Sequence, residues 1–461
     1  MEERPSSFRH TVLVLLVLAW IVASVFSVRV RDLTLLQYLR IDLAWLQGLL
    51  LGLGLYGTLL IVVGMFGRTV RRSGGGRPDD HFVSVIVPAK NEAAVIEPTV
   101  RSLCAMDLSD AAGQPRFEVL IVDDGSTDRT GEILARLAAE LPIRVLRTPA
   151  GSIGKAAALN LATAQARGDL LAVFDADARV GPDYLHLMVA TLTGERVVGA
   201  QGRRAVYNGA QNQLTRKQDD EYRLFNHAAQ QARHRLGGMV AFVGNGLLVR
   251  RTALAQVGGW NEQALTEDID LSMRLHLAGW TIAYCPEAIV WEEAVPTLRE
   301  YIRQRARWVE GGMFCLGEHL PAILFGRMGT FRRMDMVLFL TGSMIFALSA
   351  ITTNLFNVPR LLGSLVLYLQ LPWWLTRIVW TGGTAVLLAS ALAATDWRVT
   401  NAVMLLARFA VFSLLTPICA AIAAARYVRR ALTGRFIWDK TEHGTSDAAR
   451  GWIAARPEEE T

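Results

Sequence analysis

The stretch Phe117-Glu118-Val119-Leu120-Ile121-Val122-Asp123-Asp124-Gly125-Ser126 decides the fold of this chain. Its apolar run reads as a buried strand, and it stops on two carboxylates and a glycine that permits a tight turn. The same device recurs at Leu170-Leu171-Ala172-Val173-Phe174-Asp175-Ala176-Asp177. Shorter apolar runs at 83–87, closed by Pro88, and at 143–146 bring the expected strands to four. Helical stretches fall between them, at 129–140 and 155–167. Strands that alternate with helices imply a parallel sheet covered on both faces. Ligands of such sheets bind beyond the carboxyl ends of the strands. Both acidic pairs stand at those ends.

Each candidate site residue has a functional and an ordinary reading. Asp175 and Asp177, one residue apart on a turn, can chelate a hard divalent cation shared with substrate phosphates, or merely cap the next helix. One of Asp123 and Asp124 can hold the base or ribose of a nucleotide, or the pair can serve the turn alone, with Asp128 capping the following helix. Gly154-Lys155 opens a helix whose N-terminus favours anions, though the glycine spacing is not that of a phosphate loop. Thr266 suits an N-cap before Glu267 and Asp268. Asp268 can act as a general base, and carboxylates in a first turn also simply complement the helix dipole. Gln304, Arg307 and Trp308 share one arc of an expected helix over 297–310, where an amide, a guanidinium and an indole converge. The same helix reads as an amphipathic interfacial segment.

Apolar residues make up 52% of the 461, and the formal net charge of +6 comes almost wholly from arginine. No long basic run with interleaved aromatics occurs, so nucleic acid is a poor partner. Only Lys90, Lys155, Lys217 and Lys440 are lysines. The apolar excess is blocked at both ends. Residues 11–28 and 43–66 carry no charge and are each long enough to cross a bilayer as a helix. Residues 336–358 and 401–427 read as further spans, and 361–395 as one long or two short ones. Arg68, Arg71, Arg72 and Arg77 place the loop after the second span in the cytoplasm. Cys104, Cys285, Cys315 and Cys419 are widely separated and form no metal or disulfide pattern.

The ordered set Val87-Pro88-Ala89-Lys90-Asn91-Glu92, Asp123-Asp124-Gly125-Ser126, Gly154-Lys155, Asp175-Ala176-Asp177, Thr266-Glu267-Asp268 and Gln304 with Arg307-Trp308 resembles the processive membrane glycosyltransferases of family 2. The cellulose, chitin, hyaluronan and poly-N-acetylglucosamine synthases are of this kind. The resemblance covers about residues 80 to 315. It implies an α/β GT-A (Rossmann-like) domain inserted between transmembrane helices, a UDP-sugar donor, Mg2+ or Mn2+, and inversion at the anomeric carbon. It implies donor binding by Pro88, Lys90, Glu92, Asp123, Asp124, Lys155 and Asp175, metal binding by Asp175 and Asp177, and base catalysis by Asp268. It assigns Gly244, Asn245, Glu267, Gln304, Arg307 and Trp308 to the acceptor and diphosphate. Trp438 to His443 resembles a family tail that returns to the active site.

The expected organisation is an N-terminal membrane region over 1–72, a linker over 73–81 and the catalytic domain over 82–296. Interfacial helices follow over 297–330, three to four membrane helices over 331–428 and a cytoplasmic tail over 429–461. The leading expectation is an enzyme of the bacterial inner membrane that extends a β-linked polysaccharide from its cytoplasmic face. The alternative is transfer of one sugar to a polyprenyl-phosphate or glycolipid acceptor. A receptor that only binds nucleotide sugars is the remaining reading, and it leaves Asp268 without a purpose.

Overall fold

The computed structural model describes residues 52–67, 81–149 and 154–342, and toward the C-terminus 344, 388–389, 391–392 and 398–433. The expected span at 11–28, residues 73–80 of the linker, most of 336–358 and of 361–395, and the tail motif at 438–443 lie outside the described residues. Two compact units divide the chain. One holds described residues 63–301 and 327–332, and the other holds 52–62, 302–326 and those from 333 on.

The first unit is an α/β domain built on an eight-stranded sheet. Its strands are β1 (Val83–Ala89), β2 (Phe117–Asp123), β3 (Ile143–Arg147), β4 (Leu170–Val173), β5 (Arg179–Val180), β6 (Val197–Val206), β7 (Leu247–Arg250) and β8 (Thr281–Glu292), in the spatial order β3-β2-β1-β4-β7-β6-β8-β5. Its helices include α1 (Ile96–Cys104), α2 (Thr130–Glu140), α3 (Lys155–Gln165), α4 (Tyr184–Ala190), α5 (Gln213–Glu221), α6 (His227–Leu236), α7 (Arg251–Gln256) and α8 (Glu267–Leu277), with a π-helical turn at Tyr222–Asn226 before α6.

The four strands expected from sequence form the parallel half, with β1 between β2 and β4 and β3 outside β2. Pro88 lies in this central strand yet removes no ladder bond. The pairing of β1 with β4 ends at Ile86 and Val173, two residues earlier. Apolar side chains leave β1 on both faces: Val83, Val85 and Val87 enter one core cluster and Ile86 the other. The expectation of a wholly parallel sheet is corrected beyond β4. Strand β7 runs antiparallel to both β4 and β6, and β5 antiparallel to β8. A short strand buried on both faces, as Leu247-Leu248-Val249 is, carries no direction in its pattern.

The two halves are joined where Gly246 enters β7. Its amide donates to the Val173 carbonyl (3.0 Å), and its own carbonyl accepts from the Gly202 amide (2.9 Å) and the Tyr184 hydroxyl (2.8 Å). Its φ is +67°, and a Cβ there would stand 2.5 Å from Tyr184 Oη and 2.6 Å from Val290 Cγ1. Gly246→Ala is therefore expected to destabilise the domain by about 2–4 kcal/mol, from backbone strain and overpacking together, read as a lower denaturant midpoint.

In the second unit, one stretch among the described residues is long and apolar enough to cross a membrane, Val399–Thr433, which covers the expected span at 401–427. It comprises α10 (Val399–Ser413) and α11 (Thr416–Thr433). Ahead of it lie the shorter apolar helix Gly52–Phe66, on the C-terminal part of the expected second span, and α9 (Leu298–Phe325).

Candidate active site

Three elements bring four charged groups to the carboxyl edge of the sheet beside Gly244. Lys155, the first residue of α3, donates its ammonium to Asp175 Oδ1 (2.6 Å) and to the Gly244 carbonyl (3.3 Å), and it lies 3.3 Å from Glu267 Oε1. Asp175 follows β4, and Glu267 and Asp268 open α8. Gly244 has φ +85°, and a Cβ on it would stand 3.3 Å from Asp268 Oδ2, 3.7 Å from Lys155 Nζ and 4.0 Å from Asp175 Oδ2. The missing side chain leaves a hollow into which one ammonium and two carboxylates face.

Burial, reinforced by neighbouring Glu267, pushes the Asp268 carboxyl up to about 7, against the pull of Lys155. Burial opposes the charge on Lys155, but Asp175 and Glu267 outweigh it and hold the ammonium firmly protonated. A carboxylate that titrates near neutrality beside a fixed cation is matched to proton transfer. Thr266 occupies the N-cap position of α8, but its side chain makes no cap bond, and its buried hydroxyl has no partner. The expected cap is thus corrected: backbone φ −131°, ψ 83° turns the chain into the helix without it.

Asp177 is buried, and its Oδ2 accepts from the Glu293 amide (2.8 Å). Asn245 is fully buried: its Oδ1 accepts from the Asp175 amide (3.2 Å) and its Nδ2 donates to Glu292 Oε2 (3.1 Å). Asn245 therefore braces the Asp175 loop from within the domain, a role that its assignment to the acceptor did not anticipate.

A second group forms at the ends of β1 and β2. Gly125 turns the chain with φ +68°, as the motif requires. Asp123 is buried, with Oδ1 accepting from the Ser126 amide (2.9 Å) and Oδ2 from Arg147 (3.2 Å). Asp124 accepts from Lys90 Nζ (3.2 Å) and Thr148 Oγ1 (3.0 Å). The Glu92 amide donates to Thr130 Oγ1 (2.8 Å), and the Glu92 side chain is buried. Asp128 Oδ1 accepts from the Thr130 amide (2.9 Å) one residue ahead of the N-cap position of α2, which Arg129 holds in place of the expected Asp128. Lys90, Asp123 and Asp124 thus gather at one end of the sheet, whereas Lys155 is engaged by Asp175 and Glu267 and not by either of these aspartates. Gln304, Arg307 and Trp308 lie on α9 in the other unit, at the helical spacing expected. There the guanidinium over the Trp308 ring (4.3 Å) belongs to Arg305.

No group of three or more His, Cys, Asp and Glu side chains is arranged to hold a metal among the described residues. The donor chemistry nonetheless fits a hard divalent cation of the kind that keeps substrate phosphates and water as ligands. Asp175 and Asp177 supply oxygen only, and Asp175 and Asp268 face the Gly244 hollow beside the Lys155 ammonium, which Glu267 also approaches. Sequence reading missed Arg204, Tyr222, Glu292 and Glu293. A signal for the last two was present, because Trp291-Glu292-Glu293 closes an apolar run as Asp123-Asp124 and Asp175 do.

A mixed sheet with donor-type carboxylates at its carboxyl edge defines a GT-A-like fold. The chain belongs to the family described as "Glycosyltransferase like family 2", which it matches over residues 78–311. It is 41% identical over 281 residues to a beta-monoglucosyldiacylglycerol synthase of Trichormus variabilis, across 60% of this chain and 59% of that one. It is 28% identical over 252 residues to a poly-beta-1,6-N-acetyl-D-glucosamine synthase of Staphylococcus aureus, across 54% and 60% of the two. The chain thus spans about three fifths of the length of these curated relatives. A mannosyltransferase from Pyrobaculum calidifontis in complex with GDP-Man and Mn2+ shares the fold, with TM-score 0.58 and 19% identity over 85% of this chain and 98% of that one.

Proposed function

We propose that this protein transfers a single sugar, glucose foremost, from a UDP-sugar to a membrane glycerolipid, with inversion at the anomeric carbon. The observation that carries the transfer chemistry is the Gly244 hollow, where Asp268, Lys155 and Asp175 face one another. The preference for a lipid over a growing polymer rests on the 41% identity to a glycolipid synthase against 28% to a polysaccharide synthase. The polymer-extending reading of the motifs is therefore the second choice.

In this reading Asp268 takes the proton of the acceptor hydroxyl while that oxygen attacks the anomeric carbon, and the bond from the sugar to the diphosphate breaks. Mg2+ or Mn2+, when bound, neutralises the departing diphosphate. Asp175 and Asp177 would hold the cation, and Lys155 orients Asp175 and adds positive charge where the diphosphate leaves. Lys90, Asp123 and Asp124 hold the nucleoside. On sequence alone, we assign Gln304, Arg307 and Trp308 to the diphosphate and acceptor. The apolar helices anchor the enzyme in the inner membrane with the catalytic domain on the cytoplasmic side, as the arginines after the second span indicate.

Purified protein in detergent with Mn2+, diacylglycerol and a panel of UDP-glucose, UDP-N-acetylglucosamine and GDP-mannose tests this. The expected product is a one-sugar glycolipid, formed best from UDP-glucose. A ladder of lengthening glycans would replace the proposal with the polymer reading, and donor hydrolysis without transfer would defeat both.

A further inference from the structure

Glu292 lies at the end of β8, where it joins the acidic loop to a part of the fold remote in sequence. Its Oε1 accepts from the Tyr222 hydroxyl (2.7 Å), in the π-helical turn, and its Oε2 from Asn245 Nδ2 (3.1 Å). Arg204 Nε lies 3.8 Å from Oε2, Arg204 Nη1 donates to the Val243 carbonyl (2.9 Å), and its guanidinium stacks 4.2 Å over the Tyr222 ring. Asn245 Oδ1 in turn accepts from the Asp175 amide. An amide has one accepting and one donating end, and a carboxylate only accepts. Glu292 therefore fixes which way the Asn245 amide faces. Were it reversed, its oxygen would meet the Glu292 carboxylate and its NH2 would meet the Asp175 N–H. Only the observed orientation holds the Asp175 backbone.

We propose that Glu292 is a positioning residue for Asp175: through Asn245 it sets the loop that would hold the cation, and through Arg204 it neutralises a buried guanidinium beside the acidic cluster. This rests on the reading of Asp175 and Asp177 as cation ligands. With Glu292 neutral, two things change in the same direction. The Asn245 amide is free to reverse, and Arg204, whose charge is felt by both Asp175 and Asp268, is less neutralised by Glu292 and offsets the carboxylates that attract the metal more strongly. A π-helical turn, uncommon in folded chains and frequent at functional sites, supplies Tyr222 as the outer support.

The test is Mn2+ binding to the purified full chain, followed by loss of the free-ion signal in electron paramagnetic resonance, with and without UDP. Glu292→Gln is expected to weaken Mn2+ binding about tenfold, as loss of a hydrogen bond to a ligand commonly does. It is expected to lower kcat without changing the KM for the lipid. Tyr222→Phe, which leaves the link to Asn245 intact, is expected to shift Mn2+ affinity by about twofold at most. Asn245→Asp alone sets two carboxylates together and is expected to resemble Glu292→Gln. The double variant Asn245→Asp/Glu292→Gln restores a donor facing an acceptor and is expected to recover Mn2+ affinity to within about threefold of wild type.

Wild-type affinity in Glu292→Gln, or no recovery in a folded double variant, overturns the proposal. Should Glu292→Gln fail to fold, the double variant against Asn245→Asp decides alone. Wild-type protein that takes up no Mn2+ overturns the metal-dependent reading and this inference with it, whereas wild-type uptake with an unchanged variant overturns this inference only.

Discussion

Asp268→Asn is expected to lower kcat by about 10³-fold while donor binding stays within a few-fold of wild type, the range for loss of a positioned general base. Asparagine keeps the volume and the place at the head of α8 but accepts no proton. Steady-state turnover on the lipid acceptor, with UDP-sugar binding measured separately, separates the two quantities. The wild-type rate carries a matching pH signature. As the proposed base Asp268 must be ionised to act, and burial and Glu267 raise it from 3.8 to about 7. Activity is expected to rise through neutrality, and a bound cation to draw that limb toward lower pH. Stability of the metal-free protein runs the other way. Between about pH 4 and 7 the native state holds a proton on Asp268 that the unfolded chain has released, so this group's contribution falls as pH rises and is fully lost above about 7. Loss of activity in Asp268→Asn together with loss of donor binding would point to a collapsed site and remove Asp268 from the chemistry.

Lys155→Met is expected to have the next largest effect, a fall in kcat/KM of about 10²-fold or more, since it removes a half-buried charge from a hydrogen-bonded cluster. The ammonium touches Asp175 and lies against Glu267, and its charge lowers Asp268. Without it Asp175 and Asp268 face the Gly244 hollow, and Glu267 lies near them, with no ammonium among them. The acid limb of the rate profile is then expected to move to higher pH, because the influence that holds Asp268 down has gone. A profile that falls uniformly, with its limb unmoved, would limit Lys155 to donor binding and break its link to the base. The two residues share one cluster, so the double variant is expected to lose less than the product of the single losses.

The parallel half of the sheet and the acidic residues at its edge were legible because their signals are local. An apolar run that stops on acidic residues and glycine, as at Asp123-Asp124-Gly125 and Asp175-Ala176-Asp177, states both a strand and the end of it that faces ligand. The placement of Lys155 at the start of α3 and Asp268 in the first turn of α8 followed from the same kind of reading. Strand direction past β4 was not legible, because Leu247-Leu248-Val249 reads alike in either sense. The Glu292, Arg204 and Tyr222 contacts were hidden for another reason. Each pairs residues 47 to 88 positions apart or relies on a π-helical turn that no period of 3.6 announces. Asn245 was noticed, but as a residue that faces substrate. Only its full burial shows that it works from behind Asp175.

The reversed direction of β7 has a consequence for how such a site can diversify. In a wholly parallel sheet every loop at the ligand edge leaves a strand, and its geometry is set by the strand that launched it. Here the segment carrying Gly244 and Asn245 arrives at the edge from α6 and only then enters β7, so it is anchored downstream by Gly246 and shaped upstream by α5, the π-helical turn and α6, which lie outside the parallel half of the sheet. Substitutions in α5, the π-helical turn and α6 can therefore reshape the surroundings of Gly244 while the ends of β1 to β4, the proposed donor side, stay as they are. One scaffold can in this way exchange acceptors without relearning its fuel.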